Sequence, residues 1–484
     1  MSQPSIKKNF IFRALYEMLI FITPLITTPY VARVLGSDGA GISSFAGSVM
    51  SIFTMFAALG TPQYGLREIA RNRDNPEAAS KLFWEIELLT VFTSLICLLG
   101  WLGVCIFWTE YRIYFLVLTP TLLGTMFDIS WFFTAYEKVG YTVTRNAVLK
   151  TLGIILLFTL IKSKNDLILY IFLGSLTGML GNLSMWVYLP KMLVKTDFRE
   201  LIFRHHFHET LVFFIPTIAA TVCYTLDKFF LGLIVHNYST SGYYAHANKL
   251  MGMINSLVIF AMFTVVEARV SYLFAQNRTD EIKRYIRRSM DFSFLLGLGC
   301  LFGVAGIAHV FVPFFWGPGW EPVEQLIYLM CPITPIVSIS YCLGGMYYNP
   351  SGNRAQSAKY VIVDGCIDLV LNLLLIPRWG AYGAVIATIA AETVTTILYV
   401  NNCRGYLLWG TIWDCFWRRF LAGAAMCALV MAIGRTGISN ILKLTAQILA
   451  GIVFYIAVLY LAKDEMLNEI LMLVYTRIRR FLHI

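Results

Sequence analysis

"RALYEMLIFITPLITT" (13–28) and "HHFHETLVFFIPTIAA" (205–220) carry one pattern at an offset of 192 residues. Glu17, Leu19, Phe21, Pro24 and Ile26 of the first stand where Glu209, Leu211, Phe213, Pro216 and Ile218 stand in the second. Two further matches keep the same order along the chain. "ARNRD" (70–74) answers "AQNRTD" (275–280) after the second apolar segment of each half, and "DISWFF" (128–133) answers "SISYCL" (338–343) in the fourth. A pattern that opens the chain and recurs near its middle implies two like bundles in tandem.

The segments between these landmarks read as membrane spans. Of 484 residues, 58% are hydrophobic and 14% charged, against about 25% charged in soluble proteins, and the mean hydropathy is +0.68. Apolar windows near 20 residues, the length that crosses a bilayer, recur fourteen times. They cover 10–33, 40–63, 82–108, 112–135, 143–162, 167–190, 209–234, 242–272, 289–315, 322–348, 356–377, 379–401, 418–436 and 442–462. The reading is an all-α integral membrane protein with a six-helix bundle over 1–193 and a cytoplasmic linker over 194–208. A second six-helix bundle follows over 209–403, then two additional helices with a basic cytoplasmic tail over 404–484. The first segment holds Arg13 and Glu17 and lacks a small-residue cleavage site, so it reads as a retained span rather than a signal peptide.

Positive charge orients the spans. With the N-terminus inside, 26 of the 38 Lys and Arg fall on inside connections and 7 on outside ones, so both termini are expected in the cytoplasm. The net charge of +10 then belongs to the cytoplasmic face, and no nucleic-acid site is expected. Ten scattered cysteines include no CxxC pair and read as small buried hydrophobes. No GxxxxGK[ST] loop is present to hydrolyse ATP, and no metal motif, cofactor motif or catalytic carboxylate pair appears.

Asp128, Lys150, Asp227, Lys228 and Lys249 sit inside the apolar windows. An ionised side chain at mid-bilayer costs about 2.5–3.5 kcal/mol on insertion scales, so such groups mark a wet path or a partner. A rise of about 1.5 Å per residue sets Asp128 and Lys150 in the inner third, near enough to pair across adjacent helices. It sets Asp227, Lys228 and Lys249 in the outer third. Cations at two depths, with Arg13 and Arg145 beside them, suit an anionic substrate; interhelical ion pairing with no substrate role is the plainer reading. Asp364 and Asp368, one turn apart in span eleven, and Glu392 in span twelve form an acidic group, read either as a proton or sodium site or as water-bridged packing. Trp131, Tyr243 and Tyr244 flank the charged spans and can stack on sugar rings, or simply pack. Pro24 and Pro216, matched in the two halves, read as hinges, although membrane helices tolerate proline generally.

Several motifs together resemble the polysaccharide flippases, the O-antigen and repeat-unit translocases, of the multidrug/oligosaccharidyl-lipid/polysaccharide exporter superfamily. The resemblance covers residues 7–402. It rests on "TPYVARVLGSDGAG" (28–41), "ALGTPQYGLREIARNRD" (58–74), "FDISWFFTAYEK" with "TRNAVLK" (127–150), "PTIAATVCYTLDKFFLG" (216–232), "GYYAHANKL" (242–250), "FFWGPGW" (314–320) and "NLLLIPRWGAYGAVIAT" (372–388). It implies a MATE-like fold in a bacterial plasma (inner) membrane. The implied substrate is an undecaprenyl-diphosphate-linked oligosaccharide, moved to the outer leaflet by alternating access coupled to an ion gradient. The implied partners are that lipid-linked oligosaccharide, membrane lipid and polysaccharide polymerase machinery. It carries roles onto Asp128, Trp131, Glu137, Arg145, Asn146, Lys150, Asp227, Lys228 and Lys249. Two departures stand out: Glu267-Ala268-Arg269 replaces a common Pro-Arg, and Asp368 replaces a common Asn. A cation-coupled drug or metabolite antiporter of the same fold is the first alternative. A membrane-bound glycan polymerase or ligase is the second.

Overall fold

The computed structural model describes residues 6–481 apart from Phe203 and Ile438. The described residues are helical with no strand, as hydrocarbon requires of an open chain that must satisfy every backbone polar group within its own segment. Among the described residues nine helices are long and apolar enough to cross a membrane, and a tenth crossing results if one pair bent by 44° counts as a single span. All fourteen apolar windows fall on helices or on runs of helices.

Packing divides the chain into two compact units, Met1–Gly242 and Tyr243–Ile484. The first holds α1 (Ile6–Ala58), α2 (Thr61–Asn72), α3 (Pro76–Phe107), α4 (Arg112–Leu116), α5 (Thr119–Met126), α6 (Ser130–Ala135), α7 (Val139–Leu160), α8 (Leu167–Trp186) and α9 (Arg204–Ile234). The unit boundary falls in the first turns of α10 (Tyr238–Ala275). The second unit continues with α11 (Thr279–Phe315), α12 (Glu321–Met330), α13 (Ile333–Leu343), α14 (Arg354–Trp379), α15 (Ala381–Asn401), α16 (Trp409–Gly434), α17 (Asn440–Leu461) and α18 (Glu465–Phe481). The seventh apolar segment, α9, packs on α1 inside the first unit. The packing units and the sequence repeat therefore divide the chain at different places.

In the first unit α1 is the organiser, packing on α3, α7, α5 and α9. Its 53 residues hold the first apolar window and most of the second, separated by a bend at Gly36 (φ 72°, ψ −178°), a conformation open to glycine and strained for other residues. Pro24 and Pro29 lie inside the helix, yet the backbone leaves helical values only at Gly36. Just past the bend, a Cβ on Gly41 would lie 1.8 Å from the Tyr238 carbonyl oxygen, and one on Gly242 would lie 2.1 Å from that of Ser37. Two glycines thus allow bare backbone to meet backbone. The contact is finished by Ser37 Oγ and Ser239 Oγ at 2.9 Å, and by the Ser239 hydroxyl donating to Asp38 Oδ1 at 2.5 Å.

α3 starts with an Asn75 side chain accepting from Ala78 N and Pro76 in the first turn. Its 32 residues extend about 48 Å, longer than a hydrocarbon core of about 30 Å. Leu99, Ile106 and Phe107 are exposed along its length, a wasteful arrangement in water and an ordinary one against lipid. The fourth span is a broken run, α4–α5–α6, where the apolar window alone suggests one helix. Pro120 opens α5, and the turn at 127–129 is held by Asp128 Oδ1 accepting from Ser130 N at 3.0 Å.

The second unit is built on α11, which packs against α13, α16 and α17, while α14 and α15 form an antiparallel pair. Here too the fourth span is irregular: α12 and α13 are bent, and a π-helical turn follows over Gly344–Tyr348. "DISWFF" and "SISYCL" thus each adjoin a break in the fourth span of their half. Helix α18 places Leu471, Met472, Leu473 and Tyr475 at the surface and carries arginines at 477, 479 and 480.

Candidate functional site

The first unit contains a polar cluster that the apolar windows conceal. Helix α3 enters the bundle with Glu85 and Glu87 two residues apart, both buried. Glu85 is fully engaged: Oε2 lies 2.9 Å from His206 Nε2, and Oε1 accepts from Ile202 N at 3.0 Å. His206 Nδ1 in turn lies 2.7 Å from the Tyr64 hydroxyl. A Tyr–His–Glu chain therefore ties α2, α3 and the start of α9 together. Glu87 differs: it is 1% exposed, and neither carboxyl oxygen has a hydrogen-bond partner among the described residues. The charged group that acts on it is Asp128, at the break in the fourth span.

This geometry corrects the expected Asp128–Lys150 pair. The Asp128 carboxylate caps Ser130 and faces Glu87, and Lys150 forms no ion pair within 4.0 Å among the described residues. The depth arithmetic failed because it assumed a straight helix where the chain turns. Lys150 is half-buried on α7. One and a half turns earlier, Arg145 Nη1 donates to the Gly181 carbonyl at 2.5 Å and to Ser184 Oγ at 3.4 Å, and Arg145 Nη2 donates to Asn146 Oδ1. Arg145 therefore fastens α7 to α8 through these hydrogen bonds, whereas Lys150 shows no such attachment among the described residues.

Trp131 is 3% exposed, stacked on Phe83 at 5.6 Å and lying over Gly65, where a Cβ would be 2.6 Å from the indole. In this conformation its ring serves packing. Glu137, at φ 56°, receives Arg73 Nη1 at 2.9 Å, so two of the resembling motifs meet in one ion pair. On α9, Asp227 is buried and Lys228 half-buried. The side chains of Arg13 and Pro216 lie outside the described part of the structure.

The second unit begins with Tyr243, Tyr244, His246 and Lys249 on α10. Trp316 Nε1 donates to His246 Nδ1 at 2.8 Å, and the Trp320 ring lies 4.5 Å from the imidazole and 5.7 Å from Tyr243. "GYYAHANKL" and "FFWGPGW" thus form one aromatic cluster around a buried histidine. Tyr244 is buried, Tyr243 half-buried, and Lys249 exposed. The acidic group also assembles. Asp364 Oδ1 accepts from Thr395 Oγ1 at 3.1 Å, Glu392 on α15 interacts electrostatically with Asp364, and Asp368 Oδ2 accepts from Asn372 at 2.9 Å. Among the described residues no three His, Cys, Asp or Glu converge as a metal-ligand set. A carboxylate beside a hydroxyl, with a second carboxyl opposite, matches the oxygen chemistry of a proton or a monovalent cation.

Sequence reasoning overlooked Glu85, Glu87, His206 and Tyr64. The signal was available in "WEIELL" (84–89), where two carboxylates sit inside an apolar window, and in the three histidines of "HHFHE" (205–209). Both lay close enough to a window's end to pass for loop.

Ionisable groups inside long apolar helices, arranged in two helical units, define a multi-pass membrane protein of transporter fold. The chain belongs to the polysaccharide biosynthesis protein family, whose sequence profile matches residues 6–266. It is 23% identical over 416 residues to the putative O-antigen transporter of Escherichia coli (strain K12), a match covering 82% of this chain and 97% of that protein. It is 24% identical over 405 residues to the putative O-antigen transporter of Shigella dysenteriae, covering 82% and 100%. Among solved structures, the lipid II flippase MurJ in an inward closed conformation superposes with a TM-score of 0.70 at 13% identity, covering 94% of this chain and 99% of that one. An outward-facing MATE-family multidrug resistance transporter gives 0.51 at 13% identity, covering 87% and 93%. The MATE-like fold is thereby shown. The relatives are named transporters, which sets aside the polymerase or ligase reading.

Proposed function

We propose that this protein flips undecaprenyl-diphosphate-linked oligosaccharide repeat units from the cytoplasmic to the outer leaflet of a bacterial inner membrane. The observation that carries the reading is Lys150, a cation on a membrane-embedded helix with no ion pair within 4.0 Å among the described residues, in a family devoted to polysaccharide synthesis. A diphosphate is the counter-charge that such a lysine lacks. Lys228, Lys249 and Arg13 extend the cationic set, with Arg145 positioning α7. Tyr243 supplies the more open ring for sugar contact. Asp364, Asp368 and Glu392 bind the coupling ion, and Asp128 and Asp227 balance charge or share that role.

Complementation of a flippase-deficient strain tests the reading. Lys150→Ala, Lys228→Ala and Lys249→Ala are each expected to abolish surface glycan display at unchanged membrane level, and Lys150→Arg to restore it in part. Wild-type display from all three alanine variants would overturn the proposal. Because Lys150 has no ion-pair partner to orphan among the described residues, loss of activity through misfolding is separable by its unchanged abundance. The antiporter alternative draws on the acidic group around Asp364. It predicts that Asp364→Asn abolishes drug or metabolite exchange while glycan display persists.

A further inference from the structure

A cleft of about 820 Å³ opens in the second unit, away from every residue assigned above. Its walls are the start of α11, the connection from α15 to α16, and the first turns of α18; Lys283, Arg284, Arg287, Tyr406, Leu408 and Glu465 contribute to its lining. The walls are braced by ion pairs. Buried Arg419 donates from Nη1 to Asp291 at 2.7 Å and approaches Asp464 at 2.9 Å, joining α16 to α11 and to the turn before α18. Asp464 also caps α18 by accepting from Leu467 N at 2.9 Å, and Arg288 pairs with Glu469.

Those pairs consume Asp291, Glu469 and Arg288. Lys283, Arg284 and Arg287 remain exposed and in no ion pair among the described residues, with Lys283 resting over the Tyr406 ring at 5.8 Å. Of the three carboxylates that line the cleft, Glu465 is the one in no ion pair among the described residues. The cleft is therefore a braced pocket with a surplus of positive charge, suited to a phosphate ester.

Its depth identifies which phosphate ester. Helix α16 begins beside the cleft and exposes Trp409, Trp413 and Trp417 at successive turns, the last two stacked at 5.3 Å. A tryptophan stripe of this kind marks the boundary between headgroups and hydrocarbon. On the other wall, α18 exposes Met472, Leu473 and Tyr475 along an amphipathic helix, the form that lies in the interfacial plane. We infer that the cleft binds the headgroup of an anionic glycerophospholipid, with its acyl chains continuing into the adjoining leaflet. Its lining shares no residue with the substrate and ion groups proposed above, so it stands whether or not the proposed substrate is correct.

Native mass spectrometry of the purified full-length protein tests this, with phosphatidylglycerol titrated against phosphatidylcholine and inorganic phosphate as the free-anion probe. Wild type is expected to retain phosphatidylglycerol at least tenfold more tightly, with affinity falling as salt rises. Each surface cation contributes about fivefold, so Lys283→Gln with Arg284→Gln and Arg287→Gln should lose on the order of 100-fold. The control Lys191→Gln with Lys195→Gln and Arg199→Gln, in a different basic segment, should keep the preference. No preference for phosphatidylglycerol in wild type overturns the assignment, as does equal retention in the first triple variant. Displacement of lipid by inorganic phosphate at equal concentration would instead show a site for free anions. Should the triple variant fold poorly, salt-independent lipid retention by wild type alone would refute the cleft.

Discussion

At the scale of single residues, Glu85 and Glu87 show how little the identity of a side chain says until its partners are known. Two residues apart on one helix, one carboxylate accepts from an imidazole and a backbone amide, and the other accepts from none of the described residues. A buried charged or polar group without a partner costs about 1–3 kcal/mol in mutational data, and more when ionised. Glu87→Leu is accordingly expected to raise the thermal midpoint in detergent, whereas Glu85→Leu should lower it by orphaning His206 and the Ile202 amide. A fall for Glu87→Leu comparable to that for Glu85→Leu would mean that Glu87 is satisfied. Depth in the apolar windows singles out Asp128 and Lys150 and leaves them near enough to pair, yet among the described residues they form no ion pair with each other. Depth follows from chain position only along an unbroken helix, and Asp128 lies in a turn. Which carboxylate faces which neighbour depends on helix rotation, and a single sequence does not display rotation within a bundle. The acidic group on α14 and α15 was legible because Asp364 and Asp368 lie one turn apart on a regular helix.

At the scale of elements, the apolar windows found the helices but not their breaks. Gly36 divides one continuous helix into two spans, and both fourth spans are irregular, at 127–129 and at Gly344–Tyr348. In membranes such breaks survive where side chains re-satisfy the freed backbone, as Asp128 does for Ser130. The last glycine of "VLGSDGAG" (34–41) has its reason in the structure: Gly41 lies against the Tyr238 carbonyl with no room for a Cβ. Gly41→Ala should therefore destabilise by at least about 2 kcal/mol through overpacking. Gly47→Ala, six residues along the same helix and with nothing within 4 Å of the added Cβ, should be neutral or stabilise by about 0.5–1 kcal/mol. Melting temperatures of the two variants in one detergent decide it. Equal destabilisation would place the cost in α1 itself rather than in its contact with the start of α10.

At the scale of the whole molecule, the repeat and the charge count carry different information. The repeat at an offset of 192 residues announces two halves, while packing gathers the first nine helices, including the first segment of the second repeat, into one unit. A duplicated sequence records ancestry and orientation; the packing partners of a long helix follow from the faces it presents. Orientation, by contrast, rests on charge alone, an asymmetry of 26 against 7 that places both termini inside as an expectation. Two connections make it testable. The turn at 161–166 is short and exposed over 162–165, and it is closed by Asp166, whose carboxylate is held below the usual range by the amides of Lys162 and Ser163. The connection at 192–197 is exposed at Lys195 and flanked by Lys191 and Arg199. In a cysteine-free background, Asn165→Cys should react in whole cells with a membrane-impermeant maleimide, and Thr196→Cys only after the membrane is opened. The reverse pattern would invert the topology and turn the basic cleft of the second unit outward. Since insertion follows the basic side chains, moving a cluster of lysines into the 161–166 turn should weaken the wild-type labelling pattern before it alters any helix.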